Sequence, residues 1–311
     1  MPKVHKPRSG SLQYWPRKRA KRIYPKFNLN KKQAKSILSG FVGYKAGMTT
    51  IAVKNTNPQS PAKNLVVSCP VTVIECPPLK VLGLRFYNRI DGLLSPSSFF
   101  FSTKLDKQLT RKISLPKKTK QTIPEKYDEV RLVVYTQPVL TGIGKKKPEV
   151  FEVNCQETQI DKLKELLEKD IKVSEIIEPG QYIDVKAITK GKGLQGVIKR
   201  FGVSLKASKS EKKRRSVGNL GAWTPKKVSW TVAQAGQTGF HTRTDINKHV
   251  LSVVQDTKKE DQKQSFKKYG IVRSDCIIVK GSIPGPAKRL IFMEPAERMP
   301  KTKDVYEVVG A

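Results

Sequence analysis

The chain has 311 residues, 37% of them hydrophobic, and a formal net charge of +35. That length fits one large or two ordinary domains, and the apolar fraction suffices for a real core, which excludes a wholly disordered chain. The charge excludes an ordinary solvated surface and points to a polyanionic partner, with nucleic acid favoured well over an anionic membrane. No run of about 18 apolar residues is present, so no membrane-crossing helix is expected. The opening Met-Pro-Lys-Val-His-Lys leads into no hydrophobic signal segment, so a cytoplasmic protein is expected.

In chain order, residues 1–40 carry twelve Lys and Arg and no Asp or Glu, with Tyr14, Trp15 and Tyr24 interleaved. They show neither helical nor strand periodicity, so 1–39 is predicted to be a basic extended arm. Strand patterns follow at Gly40–Val53, Leu65–Glu75, Lys80–Asn88, Val130–Thr136 and Glu149–Asn154, each bounded by Gly, Pro or Asn. The clearest helix is Thr158–Asp170. There Thr158 and Asp161 make a capping box, and Ile160, Leu163, Leu166 and Leu167 line one face. Residues 117–178 hold twelve basic and twelve acidic residues, a locally neutral stretch. After Pro179-Gly180, strands resume at Gln181–Thr189, Val250–Val254, Tyr269–Val272 and Cys276–Lys280. Many short strands with one good helix predict a mainly β protein, a β-barrel carrying an α+β insertion. The barrel is expected in 40–76, 179–200 and 249–292, the insertion lobe in 77–178, a basic internal loop in 201–248 and a tail in 293–311.

The stretch from Lys186 to His249 is the most informative. It holds fifteen Lys and Arg against Glu211 and Asp245, with recurrent glycines and Trp223 and Trp230 in its middle. Such a segment has too much self-repulsion and too few aliphatic residues to bury its own core. It is expected to order against a polyanion, where counterion release rewards each neutralised phosphate and tryptophans stack on bases. The run Lys209–Arg215 alone would read as a solvated loop or a localisation signal; the glycines and Trp223 that follow favour burial in RNA. Trp223 and Trp230 have a core reading too, but Gly221, Thr224, Pro225, Lys226 and Lys227 are not core-like neighbours.

Gly191-Lys192-Gly193-Leu194-Gln195-Gly196 matches the dinucleotide-binding turn in spacing, and Glu211 lies beyond it. Nothing between Leu205 and Leu220 reads as the next strand of a βαβ unit, so a Gly-rich hinge approaching phosphate is the better reading. Cys69, Cys76, Cys155 and Cys276 form no close pair, and His5, His241 and His249 make no cluster with them, so free thiols and no metal are expected. His241 and Asp245 sit in Gly-Phe-His-Thr-Arg-Thr-Asp-Ile-Asn, which suits hydrogen bonding to phosphate and 2′-hydroxyl groups better than a triad. No enzyme and no cofactor are expected. The rivals are an RNA-modifying enzyme using the Gly191–Gly196 turn and a DNA-compacting protein.

Several long segments resemble the ribosomal protein L3 family of the large subunit. They are Pro7-Arg8-Ser9-Gly10-Ser11-Leu12 with Pro16-Arg17-Lys18-Arg19, then Gly40-Phe41-Val42-Gly43-Tyr44-Lys45-Ala46-Gly47-Met48-Thr49, and Thr189-Lys190-Gly191-Lys192-Gly193. Gly218-Asn219-Leu220-Gly221-Ala222-Trp223, Gln234-Ala235-Gly236-Gln237-Thr238-Gly239 and Gly281-Ser282-Ile283-Pro284-Gly285-Pro286 with Lys288-Arg289 complete the set. The wording and compact size resemble archaeal members. The resemblance implies a translation-protein-type β-barrel with an insertion, and a long internal loop and N-terminal arm entering large-subunit (23S-type) ribosomal RNA. In that family the loop tip, here Gly221, Ala222 and Trp223, approaches the peptidyl-transferase centre and the region where aminoacyl-tRNA enters. It also implies a role in early subunit assembly, neighbouring ribosomal proteins as partners, no homo-oligomer and no membrane.

Two departures stand out. Eukaryotic members carry a His in the basic tip, whereas residues 202–240 have none; bacterial members have a methylatable Gln, aligned with Gln237, but Thr238 replaces the Met beside it. The expected RNA contacts are Arg8, Arg17, Lys18, Arg19, Lys21 and Arg22 in the arm, Lys45 in the barrel, and Lys190, Lys192, Lys199 and Arg200 beside the Gly-rich turn. In the loop they are Lys209, Lys212, Lys213, Arg214, Arg215, Asn219, Trp223, Lys226, Lys227 and Trp230. Beyond it come Gln237, His241, Arg243, Lys288 and Arg289.

Overall fold

A computed structural model describes residues 8, 10–27, 38–58, 60–116, 123–155, 160–209, 212–255, 264–301 and 306–309. Thr158 of the expected capping box, Glu211, His5, Pro7 and Ser9 lie outside the described residues.

The strands in chain order are β1 (Phe41–Asn55), β2 (Val66–Glu75), β3 (Lys80–Ile90), β4 (Leu93–Phe101), β5 (Glu129–Tyr135), β6 (Val150–Asn154) and β7 (Tyr182–Ile188). They continue with β8 (Leu194–Gln195), β9 (Gly236–Gln237), β10 (Thr242–Val254), β11 (Ser265–Phe266), β12 (Gly270–Ile271), β13 (Cys276–Lys280), β14 (Leu290–Pro295) and β15 (Tyr306–Val308). Among the described residues the α-helices are short, α1 (Ile160–Leu166) and α2 (Val197–Phe201). The mainly β expectation holds.

Six strands close on themselves in the order β14-β7-β10-β13-β2-β1, because β14 pairs with both β7 and β1. Closure removes the open edges that a flat sheet would leave. A bulge between Lys45 and Gly47 lets β1 serve two partners: Phe41–Tyr44 face β14, and the strand from Tyr44 to Lys54 faces β2. β15 adds to the far end of β1, at Val53–Asn55. The interior is filled by alternate residues such as Val73, Ile183, Val185, Ile277, Ile291 and Met293.

β3 to β6 make a separate antiparallel sheet, β4-β3-β5-β6, inserted between β2 and β7. Leu84, Phe86, Leu132, Val134 and Leu163 of this region share one continuous apolar cluster with the barrel. β4 is absent from the expected strands, and Pro96 is a residue that disfavours a strand interior. β4 is an edge strand beside β3, a position where a missing N–H is tolerated. α1 ends at Leu166, before the expected Asp170, while the expected start at Thr158 lies outside the described residues; Leu163 and Leu167 are buried.

Segments near both ends of the sequence contribute more to the core than composition indicated. The extended arm expected over 1–39 gives way earlier: Tyr24, Phe27 and Leu38 are buried. Phe27 and Phe151 set their rings 4.6 and 5.0 Å from that of Phe292. The expected tail 293–311 is likewise not a tail throughout, since Met293 to Pro295 belong to β14 and β15 lies within it. β10 begins at Thr242, well before the expected Val250, with its outer half polar and alternately exposed.

By compactness the chain forms two units, one from Met1–Arg22 with Ile188–Arg243, the other from Ile23–Ala187 with Thr244–Ala311. The second contains nearly all of the barrel and the inserted sheet.

Candidate nucleic-acid interface

The first unit contains eight Lys and Arg in 1–22 and thirteen in 188–243, against the single acid Glu211. More than half of the net positive charge of the chain is therefore concentrated here. The backbone is organised at a narrow neck. Thr189 donates its N–H to the His241 carbonyl at 2.9 Å, Lys192 donates to Thr238 and Thr238 to Gly193, each at 2.9 Å, and β8 pairs with β9. Gly239 has φ +72°, and a Cβ there would collide with the Lys190 carbonyl oxygen, so only glycine fits this closure. The G-x-G-x-x-G run thus forms one side of a ladder, followed by a five-residue helix, and no βαβ unit is built around it among the described residues.

The N-terminal residues lie against this neck. Ser11 caps a single 3₁₀ turn, Leu12–Tyr14, by accepting from the Gln13 N–H. Trp15 then sits 5.8 Å from the Phe201 ring and 5.6 Å, edge-on, from Trp230. Ala20 donates its N–H to the Phe240 carbonyl at 2.9 Å, and Arg19 lies over the Phe240 ring. His241 is buried with Nδ1 2.9 Å from the Lys18 carbonyl; a carbonyl only accepts, so Nδ1 carries the proton. The expectation that this segment lacks any core of its own is therefore modified. A small aromatic cluster exists, assembled from residues far apart in the sequence.

Beyond the neck the loop is open. Every residue from Gly218 to Trp230 is exposed, as are Lys212, Lys213, Arg214 and Arg215. Trp223 is 83% exposed, with the Lys226 ammonium 5.4 Å from its ring centroid. Asn219 accepts the Gly221 N–H through Oδ1 at 3.0 Å, a local turn that presents Gly221, Ala222 and Trp223 outward. Lys206 donates its N–H to the Arg214 carbonyl, and Arg214 Nε returns to the Lys206 carbonyl. No acid belongs to the described residues of this unit. An exposed tryptophan in a cationic loop of this kind suits a polyanion with flat, stackable groups.

The family pattern of Ribosomal protein L3 matches residues 1–309. The chain belongs to the ribosomal protein L3 family. It is similar to large ribosomal subunit protein uL3 of Archaeoglobus fulgidus, 44% identical over 96% of this chain and 94% of that protein. It is also similar to the proteins of that name from Methanothrix harundinacea, 41% identical over 96% and 93%, and Methanobrevibacter smithii, 38% over 99% and 97%. As a member of the L3 family it is a structural, non-enzymatic component of the large ribosomal subunit. Among the described residues no helix is long and apolar enough to cross a membrane.

Most of the expected contact residues lie in the first unit of this L3 chain. Arg8, Lys18, Arg19, Lys21, Arg22, Lys190, Lys192, Lys199, Lys209, Lys226 and Lys227 are exposed. Arg17 and Arg200 are half-buried, and Arg200 already donates to the Gln237 and Gln234 carbonyls at 3.2 and 2.9 Å. Gln237 donates through Nε2 to the Gly239 carbonyl at 3.0 Å, so its amide braces the neck. Trp230, 65% exposed, joins the Trp15 cluster through one edge.

Lys45 is a correction. It is buried, and its ammonium donates to the Ile283 and Gly285 carbonyls at 2.7 and 3.2 Å, so it does not belong to the basic surface. Burial lowers its pKa, and Asp245 partly offsets this. Lys288 is exposed, whereas Arg289 is half-buried and donates to the Ile23 carbonyl at 3.3 Å. Sequence reasoning missed the rings of Phe201 and Phe240, although their partners Arg17, Arg200 and Arg19 are among the expected contacts. Their only local signal is an aromatic residue next to, or near, an arginine or lysine.

Proposed function

We propose that this protein binds large-subunit ribosomal RNA through Met1–Arg22 and Ile188–Arg243, supports subunit assembly, and seats the loop around Trp223 near the peptidyl-transferase centre and the aminoacyl-tRNA entrance. The observation that carries this reading is the exposure of Trp223 in a loop of exposed cations, Lys212 to Arg215 with Lys226 and Lys227. Lysine and arginine neutralise crowded phosphates, and each such contact releases counterions. Stacking of an aromatic ring on a base contributes about 1–3 kcal/mol.

Ribosomes carrying Trp223→Ala are expected to react with puromycin at an altered rate while the barrel remains folded. Unchanged reactivity would remove the loop tip from the catalytic neighbourhood. Co-sedimentation with large subunits on sucrose gradients at low and high salt tests the broader reading; sedimentation with DNA instead would favour the compaction alternative.

A further inference from the structure

Four arginines of the first unit gather around a small aromatic floor, and none of them is ion-paired with a described acid. Arg17 lies 4.4 Å from the Phe201 ring centroid and Arg200 lies 5.1 Å from the same ring. Trp15 packs on that ring, Arg17 stands 5.9 Å from the Trp15 ring, and Arg243 covers neighbouring Tyr14 at 4.4 Å. Arg8 reaches Thr231, the residue after Trp230, donating to its carbonyl at 2.6 Å.

The acceptors these guanidinium groups use are neutral carbonyls: Thr231 for Arg8, Arg200 for Arg17, Gln234 and Gln237 for Arg200, and Thr242 for Arg243. None of those bonds cancels charge. Burial and then the charges of Arg200, Arg243 and Arg8 hold the Arg17 guanidinium below its ordinary pKa. Arginine nevertheless stays protonated in proteins, so the cluster cannot relieve its repulsion by losing a proton. A bound anion can. The forked donors match phosphate oxygens two at a time. Within the same cluster the Trp15 Nε1 is buried with no hydrogen-bond partner.

We propose that Arg8, Arg17, Arg200 and Arg243 form a cage for one backbone phosphate of RNA, and that filling it fastens the N-terminal segment to the base of the basic loop. This inference rests on the RNA-binding reading above and adds to it a defined site with a conformational consequence. Two arginines come from each partner segment, so an anion among them bridges residues that otherwise repel. Loss of the anion is expected to loosen the packing of Trp15 on Phe201 and Trp230.

The test uses the full chain carrying Trp223→Phe, which leaves Trp15 and Trp230 as its tryptophans. Their fluorescence is titrated with inorganic phosphate and with single-stranded RNA of about eight nucleotides, at constant ionic strength set by chloride. A saturable change with the RNA is expected, and a weaker one with phosphate. Arg17→Gln and Arg243→Gln should each weaken the midpoint about tenfold, with Arg17→Lys recovering only part because it lacks the fork. Lys63→Gln, an equal charge change on the other unit, should leave it unmoved. No change on replacing chloride by phosphate or RNA at that constant ionic strength, or equal effects of Arg17→Gln and Lys63→Gln, overturns the cage. A response to phosphate but not to RNA overturns the assignment to an RNA backbone. Circular dichroism checks that each variant is folded, and Arg243→Gln decides the matter should Arg17→Gln unfold. Retention of RNA without any arginine-specific signal sinks the cage and leaves the RNA-binding reading standing; no retention of RNA by the chain with Trp223 intact sinks that reading itself.

Discussion

Lys45 donates its ammonium to the Ile283 carbonyl across 2.7 Å, joining the first strand of the barrel to the loop between β13 and β14. The same residue exchanges backbone bonds there, its N–H going to Arg289 and its carbonyl accepting from Lys288. A lysine in a basic chain thus acts as an internal strut. Lys45→Met should destabilise the barrel by about 1–3 kcal/mol, the cost of leaving buried carbonyls unpaired. Urea denaturation measures this. RNA affinity should be unchanged, and a drop as large as that from Lys212→Gln would return Lys45 to the binding surface.

Glu75 gives the barrel a pH dependence. Its carboxylate is buried, accepting the N–H groups of Arg273 and Ser274 at 2.6 and 2.9 Å through one oxygen and the Tyr269 hydroxyl through the other. Burial outweighs these bonds and holds its pKa above the ordinary 4.5. Above 4.5 the unfolded chain ionises while the folded chain keeps its proton, so stability falls as pH rises until the folded group also ionises. Glu75→Gln should flatten that fall. An unchanged slope of unfolding midpoint against pH would show that Glu75 is not its source.

Trp15 and Trp223 should behave oppositely. Trp15→Ala removes the ring on which Phe201 and Trp230 lean and should cost the local cluster about 1.5–3 kcal/mol. Trp223→Ala, at an exposed position, should change stability by less than about 0.5 kcal/mol. Hydrogen exchange over the neck at Thr189–Gly193 and Thr238–His241 should accelerate for Trp15→Ala alone. Equal acceleration in both variants would mean that the tip is structurally coupled to the neck.

The side chains of Lys212, Lys213, Arg214 and Arg215 are exposed, in a unit whose described residues include no acid. Replacing all four by Gln should lower the slope of log affinity against log salt by about 0.7–0.9 for each phosphate they neutralise. Filter binding with a ribosomal RNA fragment at several salt concentrations gives the slope. No change would place these four cations away from the RNA.

Strand positions were largely legible because alternation is a local property: β2, β3, β5, β7 and β13 lie close to where their apolar patterns put them. β4 escaped because Pro96 is acceptable only at an edge, and edge position is not a local property. β14 escaped because a four-residue apolar run, Leu290 to Met293, says little until its two partners are known. Among the candidate contacts, charge identified the cations but not their direction. Lys45 and Lys212 have the same chemistry in the sequence; one is buried against the loop between β13 and β14 and the other is in solvent.

By itself the sequence determined that this is a mainly β chain with an extreme, unevenly distributed positive charge and a tryptophan-bearing loop. Those properties reside in residue type and in short-range periodicity. Only the tertiary structure decided that β14 closes the ring, that Tyr24 and Phe27 belong to its core, and that Trp15 meets Phe201 and Trp230 amid four arginines. Each of those contacts joins residues far apart in the chain, and which distant surfaces meet depends on the packing of the whole core, which no local window contains.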